Sequence, residues 1–338
     1  MRNIEYTGPD KDISKEIDMM KYRQTDESFD EKIKRIARTL SDDDQHQYEL
    51  EDILGNMRFL PAGRVQAAIG SQRITTAYNC FVSGEIEDSM DNIMEKAGEA
   101  AETMRRGGGI GYDFSKIRPR GNKIKSLDSQ ASGPVSFMGI FDAICQTIAS
   151  SGHRRGAQMG VLRVDHPDIE EFITAKRNTH SLTGFNISVG VTDKFMEALT
   201  SDVGDDFDLV YEGKVHRTIS ARKLWDDIMD STWDWAEPGV LFIDRIAEMN
   251  NLWYCEEINA TNPCGEQPLP AYGACLLGSF NLTGYLEKDE EIMGGDKIQY
   301  TYLFNFRRFK DDIGEVKSGT ECGVGIKNYK DIQPGDKV

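Results

Sequence analysis

The sequence of 338 residues contains no uninterrupted stretch of about 18 apolar residues, so it predicts no transmembrane helix. The charged opening, Met1 to Glu16, lacks the apolar core that a secretory signal peptide requires. Basic residues are also in deficit, with 40 Lys and Arg against 57 Asp and Glu, and the net charge is −17. A chain this acidic repels a phosphate backbone, which argues against broad nucleic-acid binding. A cytoplasmic protein with neither a membrane nor a nucleic-acid partner is therefore expected.

Cysteine is scarce and widely spaced. The six cysteines are Cys80, Cys145, Cys255, Cys264, Cys275 and Cys322. In a cytoplasmic chain of this length, such spacing does not indicate a disulfide scaffold. No two of them form a C-x-x-C pair, and no histidine lies near one at zinc-site spacing, so no metal site is predicted. For any single cysteine, the simplest interpretation is a small buried apolar residue.

Hydrophobic periodicity predicts several helices and strands. The predicted helices are Glu27–Leu40, Met90–Met104, Phe137–Ile148, Pro167–Ala175 and Leu224–Trp235. The predicted strands are Ile74–Val82, Gly160–Val164, Phe185–Val191 and Gly239–Ile243. Asp88-Ser89 offers an N-cap to the second helix, and Gly133-Pro134 opens the third. Strands separated by helices indicate α/β architecture, of which a barrel is one form.

A glycine-rich segment, Gly107 to Gly111, follows the helix that ends near Met104. Glycines permit the backbone to approach a ligand closely. The segment follows a predicted helix instead of a strand and lacks the G-x-G-x-x-G spacing, so a dinucleotide-binding loop is not predicted.

Asn262, Cys264 and Glu266 alternate along a proline-rich loop. In an extended loop, these three side chains would point to the same side. The carboxylate would raise the pKa of the thiol, which suits a sulfur that carries a hydrogen atom better than a nucleophilic thiolate. Judged by spacing alone, a proline-rich surface loop with an incidental cysteine is an equally good interpretation.

Two further segments favour the chemical interpretation. Cys80 lies in Tyr-Asn-Cys-Phe-Val, and Cys275 lies in Tyr-Gly-Ala-Cys-Leu-Leu-Gly-Ser. Together with Asn-Pro-Cys-Gly-Glu-Gln-Pro-Leu-Pro, they resemble the ribonucleotide reductase family, from about Lys21 to about Phe309. The resemblance implies a helical region at 1–56 and, at 57–316, the first part of a ten-stranded α/β barrel whose centre receives the finger loop 262–270.

The resemblance implies reduction of ribonucleotides to 2′-deoxyribonucleotides by a thiyl-radical mechanism, for DNA precursor synthesis. Cys264 would carry the radical and take the 3′ hydrogen of the substrate. Glu266 would accept the 3′-hydroxyl proton, and Asn262 would hydrogen-bond the substrate hydroxyls. Cys80 and Cys275 would deliver two electrons and become a disulfide, which a thioredoxin-like protein or another dithiol would reduce.

The family also implies two kinds of binding residue. Asn79 and Gly109 match positions that contact the substrate. The residues expected to bind a deoxynucleoside triphosphate or ATP effector are Asp88, Ser89, Arg118 and Arg155. Solvated surface charge is the alternative interpretation for the two arginines. A homodimer is expected, because the two most periodic helices form the subunit contact in relatives.

The sequences of these motifs most resemble those of the adenosylcobalamin-dependent class II enzymes. A class I catalytic subunit with a separate metal-radical subunit is the close alternative. A non-catalytic nucleotide-binding remnant and another glycyl- or thiyl-radical enzyme are further alternatives. Residues 317–338 depart from the family and faintly resemble the start of an intein. The expectation is therefore an amino-terminal portion that works with a complementing carboxy-terminal fragment, from a split or interrupted gene.

Overall fold

The computed structural model describes residues 4, 6–124, 128–148, 156–177 and 181–282, and the backbone of three strands at 304–308, 311–313 and 323–326. The chain forms two compact units. The first comprises Met1–Met19, Glu27–Leu60 and Gly278–Val338, and the second comprises Met20–Asp26 and Pro61–Leu277. The segments 1–56, 57–316 and 317–338 remain a prediction about domain organisation.

Helices and strands alternate through most of the described chain. The helices are α1 (Asp12–Lys21), α2 (Phe29–Leu40), α3 (Asp44–Gly55), α4 (Gly63–Ala68), α5 (Met90–Arg105), α6 (Pro134–Thr147), α7 (Ile169–Thr174), α8 (Asp193–Thr200), α9 (Ala221–Trp235) and α10 (Ile243–Glu248). The strands are β1 (Phe59–Pro61), β2 (Cys80–Val82), β3 (Gly109–Asp113), β4 (Lys123–Ile124), β5 (Ser129–Gln130), β6 (Gln158–Arg163), β7 (Phe185–Val191), β8 (Asp206–Tyr211), β9 (Lys214–Ser220), β10 (Gly239–Phe242), β11 (Ala260–Thr261), β12 (Pro268–Leu269), β13 (Ala274–Cys275), β14 (Gly278–Phe280), β15 (Phe304–Arg308), β16 (Asp311–Ile313) and β17 (Gly323–Ile326). Among the described residues, no helix has both the length and the apolar character needed to cross a membrane.

The first unit begins with helices whose ends the sequence specifies. Ser28 caps α2 by accepting the backbone N–H of Glu31 at 3.2 Å, and the Glu31 carboxylate accepts the Ser28 N–H at 2.8 Å. This reciprocal capping box satisfies two donors that the helix itself cannot. Ile33 and Ile36 on α2 are buried. The amphipathic helix expected within Glu27–Leu40 is confirmed.

A six-stranded sheet organises the second unit, in the order β10-β7-β6-β3-β2-β13. The strands β2, β3, β6, β7 and β10 are parallel and follow one another in chain order, whereas β13 is antiparallel to β2. The main core includes Tyr112 and Phe185 from the sheet and Phe141 from α6, all at most 1% exposed. The predicted α/β architecture is confirmed.

Several local predictions hold and two need correction. The two most periodic helices and the strand Phe185–Val191 are confirmed, and Ser89 caps α5 by accepting the Asn92 N–H at 3.2 Å. The strand expected at Ile74–Val82 is confined to Cys80–Val82. The glycine-rich segment, in contrast, continues into strand β3, which has too few side chains to show a strand pattern. The hairpin formed by β8 and β9 was not predicted.

Candidate active site

Strands β11 and β12 form a short hairpin whose connection carries Cys264. The Asn262 carbonyl accepts the Gly265 N–H at 3.0 Å, so Pro263 and Cys264 occupy the centre of a β-turn. Proline suits the first central position because its φ is already fixed near the required value. The expectation of an extended loop is therefore wrong. Asn262 is 0% exposed, whereas Cys264 and Glu266 are exposed.

Glycines of β3 make room for this hairpin. A Cβ atom on Gly111 would lie 1.8 Å from the Thr261 carbonyl oxygen, and one on Gly109 would lie 2.8 Å from Cγ of Pro263. Neither distance leaves space for a side chain. The close approach expected of the glycine-rich segment thus occurs, but the group that approaches is the protein's own loop. Contact of Gly109 with substrate remains a prediction.

A side chain from β7 also holds the loop. Asn186 donates a hydrogen bond from Nδ2 to the Pro263 carbonyl oxygen at 2.7 Å. Asn186 was not among the residues predicted from the sequence. The available signal was a polar side chain between Phe185 and Ile187, which are both 1% exposed, because alternation places it on the opposite face of the strand.

Two asparagine side chains near the cysteines, Asn79 and Asn262, each have one buried atom without a hydrogen-bond partner among the described residues. The Oδ1 atom of Asn262 accepts the Gln267 N–H at 3.0 Å, which fixes the orientation of the amide. Its Nδ2 atom and the Oδ1 atom of Asn79 are buried without a hydrogen-bond partner in the described part of the chain. An unpaired buried polar group is costly, so each atom fits a hydrogen bond to a bound ligand.

Cys80 and Cys275 lie directly opposite each other on β2 and β13. Each is 5% exposed, and both are thiols. Opposed residues of an antiparallel pair have Cβ atoms about 4.5–5.5 Å apart. A disulfide requires about 3.5–4.5 Å, so a small displacement would allow the bond to form.

Electrostatics link this cysteine pair to the finger loop. The pKa of Cys275 is raised to about 11, mainly by burial and then by the nearby Cys80, Glu266 and Cys264 in that order of importance. The Cys275 thiol therefore stays protonated at neutral pH. Three of the residues predicted to be catalytic, Cys80, Cys264 and Glu266, thus act on a fourth, Cys275. The fifth, Asn262, begins the turn that carries Cys264.

The predicted effector residues are only partly described. Arg118 donates from Nε to Oδ2 of Asp88 at 2.5 Å and from its backbone N–H to Oδ1 at 3.2 Å. Ser89 follows Asp88 and serves as the cap of α5. A cavity of about 370 Å³ adjoins Asp88 and is also lined by Lys116 and Tyr211. Arg155 lies outside the described residues.

Tyr211, at the end of β8, was not predicted from the sequence as a site residue. Its hydroxyl donates to the Lys116 carbonyl oxygen at 2.9 Å and lies 3.4 Å from Oδ2 of Asp88. The β8–β9 hairpin, which was not predicted, therefore contributes to this cavity.

The remaining cysteines differ in their surroundings. Cys145 is 6% exposed within the core, as the buried-thiol interpretation predicts. Cys255 is exposed, so that interpretation is wrong for it, and Cys322 lies outside the described residues. Within the described ranges, no group of three or more His, Cys, Asp or Glu side chains is arranged to hold a metal ion.

The second unit is thus an α/β half-barrel that has an opposed cysteine pair in its sheet and a third cysteine on a hairpin. Residues 78–314 match the family model described as ribonucleotide reductase, barrel domain. The chain belongs to this family.

Curated relatives agree with this assignment. The chain is 40% identical over 297 residues to the vitamin B12-dependent ribonucleoside-diphosphate reductase of Thermoplasma acidophilum, covering 83% of this chain and 38% of the relative. It is 40% identical over 290 residues to the protein of the same name from Mycobacterium tuberculosis, covering 83% and 42%. The chain thus spans about two fifths of the length of these curated relatives.

The Actinobacillus ureae class Id ribonucleotide reductase alpha subunit has a similar fold. The TM-score is 0.68 at 22% identity, and the match covers 80% of this chain and 49% of that one. At this identity, the likeness supports the fold alone. The predicted fold class, the amino-terminal part of the ribonucleotide reductase barrel, is confirmed.

Proposed function

We propose that this chain supplies the radical loop and the redox cysteines of an enzyme that reduces ribonucleotides to 2′-deoxyribonucleotides. The observation that carries the proposal is the arrangement of Cys80 opposite Cys275, with Cys264 and Glu266 close enough to raise the pKa of Cys275. Because the chain spans about two fifths of its curated relatives, the activity of the whole enzyme belongs to the proposal.

Each side chain has a defined chemical task in this reaction. Cys264, as a thiyl radical, removes the 3′ hydrogen of the ribose, and Glu266 accepts the 3′-hydroxyl proton as general base. Cys80 and Cys275 are oxidised to a disulfide while the 2′-hydroxyl leaves as water, so two electrons and two protons pass from the thiols. The raised pKa of Cys275 favours the protonated thiol that this step consumes.

Substrate binding is assigned to the side-chain amides of Asn262 and Asn79. Asn262 donates from its unsatisfied Nδ2 to a ribose hydroxyl, and Asn79 accepts at its unsatisfied Oδ1. Gly109, under the finger loop, completes the predicted contacts. These hydrogen bonds would orient the sugar relative to Cys264, and orientation supplies a large share of the rate in such reactions.

Adenosylcobalamin is the proposed source of the radical. The named relatives are vitamin B12-dependent, and when bound the cofactor supplies the initial radical. Cys264 fits this role because its thiol is exposed at the turn, where a donor can reach it. A separate di-metal radical subunit remains the alternative source.

The proposed partners follow from the same family. They are a deoxynucleoside triphosphate or ATP effector, a thioredoxin-like or other dithiol reductant, a second copy of the chain, and the polypeptide that completes the barrel. Effector binding is assigned to Asp88, Ser89, Arg118 and Arg155. A cytoplasmic location is proposed, because reducing conditions there regenerate the cysteine pair.

The experiment compares Cys264→Ser with Cys255→Ser, which alters another exposed cysteine outside the finger loop. Both variants are assayed with the rest of the barrel, a ribonucleotide, a dithiol and adenosylcobalamin. Cys264→Ser should lose more than about 99% of reduction, since a hydroxyl does not replace the thiol as radical carrier. Cys255→Ser should retain it. Comparable activity in the two variants would contradict the proposal.

A further inference from the structure

The Pro263 carbonyl belongs to the peptide that joins Pro263 to Cys264, and Pro263 is buried. Asn186 of β7 donates to this carbonyl oxygen at 2.7 Å. We propose that Asn186 is the positioning residue for Cys264, holding the peptide plane immediately before the radical-bearing side chain. The inference deepens the proposed function, since it concerns how the same loop is kept in place.

The turn itself cannot satisfy this carbonyl. Its own hydrogen bond joins the Gly265 N–H to the Asn262 carbonyl. The Asn262 side chain does not serve it either, since Oδ1 is an acceptor bonded to the Gln267 N–H and the donor Nδ2 has no partner among the described residues. A buried carbonyl requires a donor, and in the described part of the chain the amide of Asn186 provides it from outside the hairpin.

Asn186 lies on an internal strand of the six-stranded sheet. Strand β7 lies inside the sheet, hydrogen-bonded to β6 on one side and β10 on the other. Phe185 and Ile187 are each 1% exposed in the core, and successive side chains of a strand point to opposite faces. The amide of Asn186 is therefore directed to the face where the loop lies. Its backbone pairs with Met159 of β6, and the pairing of β7 with β10 begins two residues later, at Ser188.

The opposite contact is steric. Gly109 of β3 leaves just enough room for the Pro263 ring, since an added Cβ would lie 2.8 Å from it. Packing against β3 limits how closely the loop can approach the sheet, whereas the Asn186 hydrogen bond limits rotation of the peptide between Pro263 and Cys264. Rotation of that peptide would move the Cys264 sulfur, and hydrogen-atom transfer tolerates only small errors in the distance between reacting atoms.

The test uses Asn186→Asp, which keeps the shape of the side chain but replaces its donor by an ionised acceptor. Asn251→Asp is the matched control, because it makes the same charge change at an exposed position. Hydrogen exchange of the full chain is followed in peptides that cover 260–270. We expect exchange of the Gly265 and Gln267 amides to accelerate about tenfold in Asn186→Asp. Asn251→Asp should match the wild type.

Asn186→Ala removes the donor without adding charge and should also accelerate exchange in 260–270. If either Asn186 variant unfolds, the other decides the question, with circular dichroism as the check on folding. Unchanged exchange in a folded Asn186 variant would overturn the positioning role. A change of the same size throughout the sheet would also overturn it.

A kinetic comparison separates this inference from the proposed function. With the complete enzyme, Asn186→Asp should lower kcat about tenfold or more while KM stays within about twofold, because the loop acts on the reaction step. Loosened exchange with unchanged kcat would refute the positioning role. If the wild-type enzyme reduces no ribonucleotide, the proposed function fails, while the exchange measurement still tests how the loop is held.

Discussion

Replacing Gly111 with alanine should displace the hairpin formed by β11 and β12 from β3. The added Cβ would lie 1.8 Å from the carbonyl oxygen of Thr261 and 3.0 Å from its carbonyl carbon. Both atoms are backbone, so a change of rotamer cannot relieve the overlap. Thr261 is 0% exposed and paired with Pro268 across the hairpin, so the hairpin must move by more than about 1 Å to reach a normal contact distance.

Two opposing effects set the size of the loss. Alanine restricts the unfolded chain more than glycine does, which stabilises by about 0.4–1 kcal/mol where the native conformation accepts it. Forcing extra atoms into a packed site costs about 1–3 kcal/mol, and a clash with backbone belongs at the upper end. Gly111→Ala should therefore lower the free energy of unfolding by about 2 kcal/mol.

Gly190→Ala is the matched control in the same sheet. Its Cβ would meet nothing closer than 3.6 Å, so its stability should equal or slightly exceed that of the wild type. Urea denaturation of both variants, followed by circular dichroism, measures the difference. Equal stabilities for the two variants would refute the conclusion that Gly111 makes room for the hairpin.

Two further predictions concern the segment around Cys275. Tyr272→Phe removes the hydroxyl that accepts a hydrogen bond from Lys96 at 2.7 Å, and because Lys96 is 5% exposed, the free energy of unfolding should fall by about 1–2 kcal/mol. Tyr254→Phe, at a 67% exposed tyrosine, should leave the free energy of unfolding unchanged. Equal effects of the two substitutions would contradict a stabilising role for the Lys96–Tyr272 hydrogen bond. The pKa of Cys275 is raised from 9.0 to about 11, so the folded thiol keeps its proton while the unfolded thiol ionises, and stability should decline between those two pH values. Cys275→Ser should remove that part of the decline in denaturation experiments from pH 8 to about 11, and an unchanged profile would contradict the raised pKa.

Much of the fold follows from local sequence patterns. The helices α5 and α6 were predictable because apolar residues recur at helical spacing, and β7 because apolar residues alternate with polar or small ones. Strand β3 was hidden because two of its five residues, Gly109 and Gly111, are glycines and contribute no side chain to the pattern. The β8–β9 hairpin left a weak signal, namely Glu212-Gly213 at its turn, both with positive φ. Such a turn is usually recognised by Asn-Gly or Asp-Gly.

The residues of the candidate site were predicted from sequence motifs, but their arrangement in space was not. The motifs identified Cys80, Cys264 and Cys275, yet the turn at Pro263 replaced the expected extended loop. The hydrogen bond from Asn186 spans 77 positions in the sequence. No local pattern encodes a contact between residues so far apart, because it depends on the order of strands in the sheet.

Thiol mapping after a single turnover tests whether Cys80 and Cys275 supply the two electrons for reduction. The complete enzyme is reduced, freed of dithiol, and given one equivalent of ribonucleotide, and the remaining thiols are alkylated and assigned by peptide mapping. We predict that two thiols disappear and that a disulfide joins Cys80 to Cys275. Product formed with both of these thiols intact, or with the loss at Cys145 or Cys255, would contradict it.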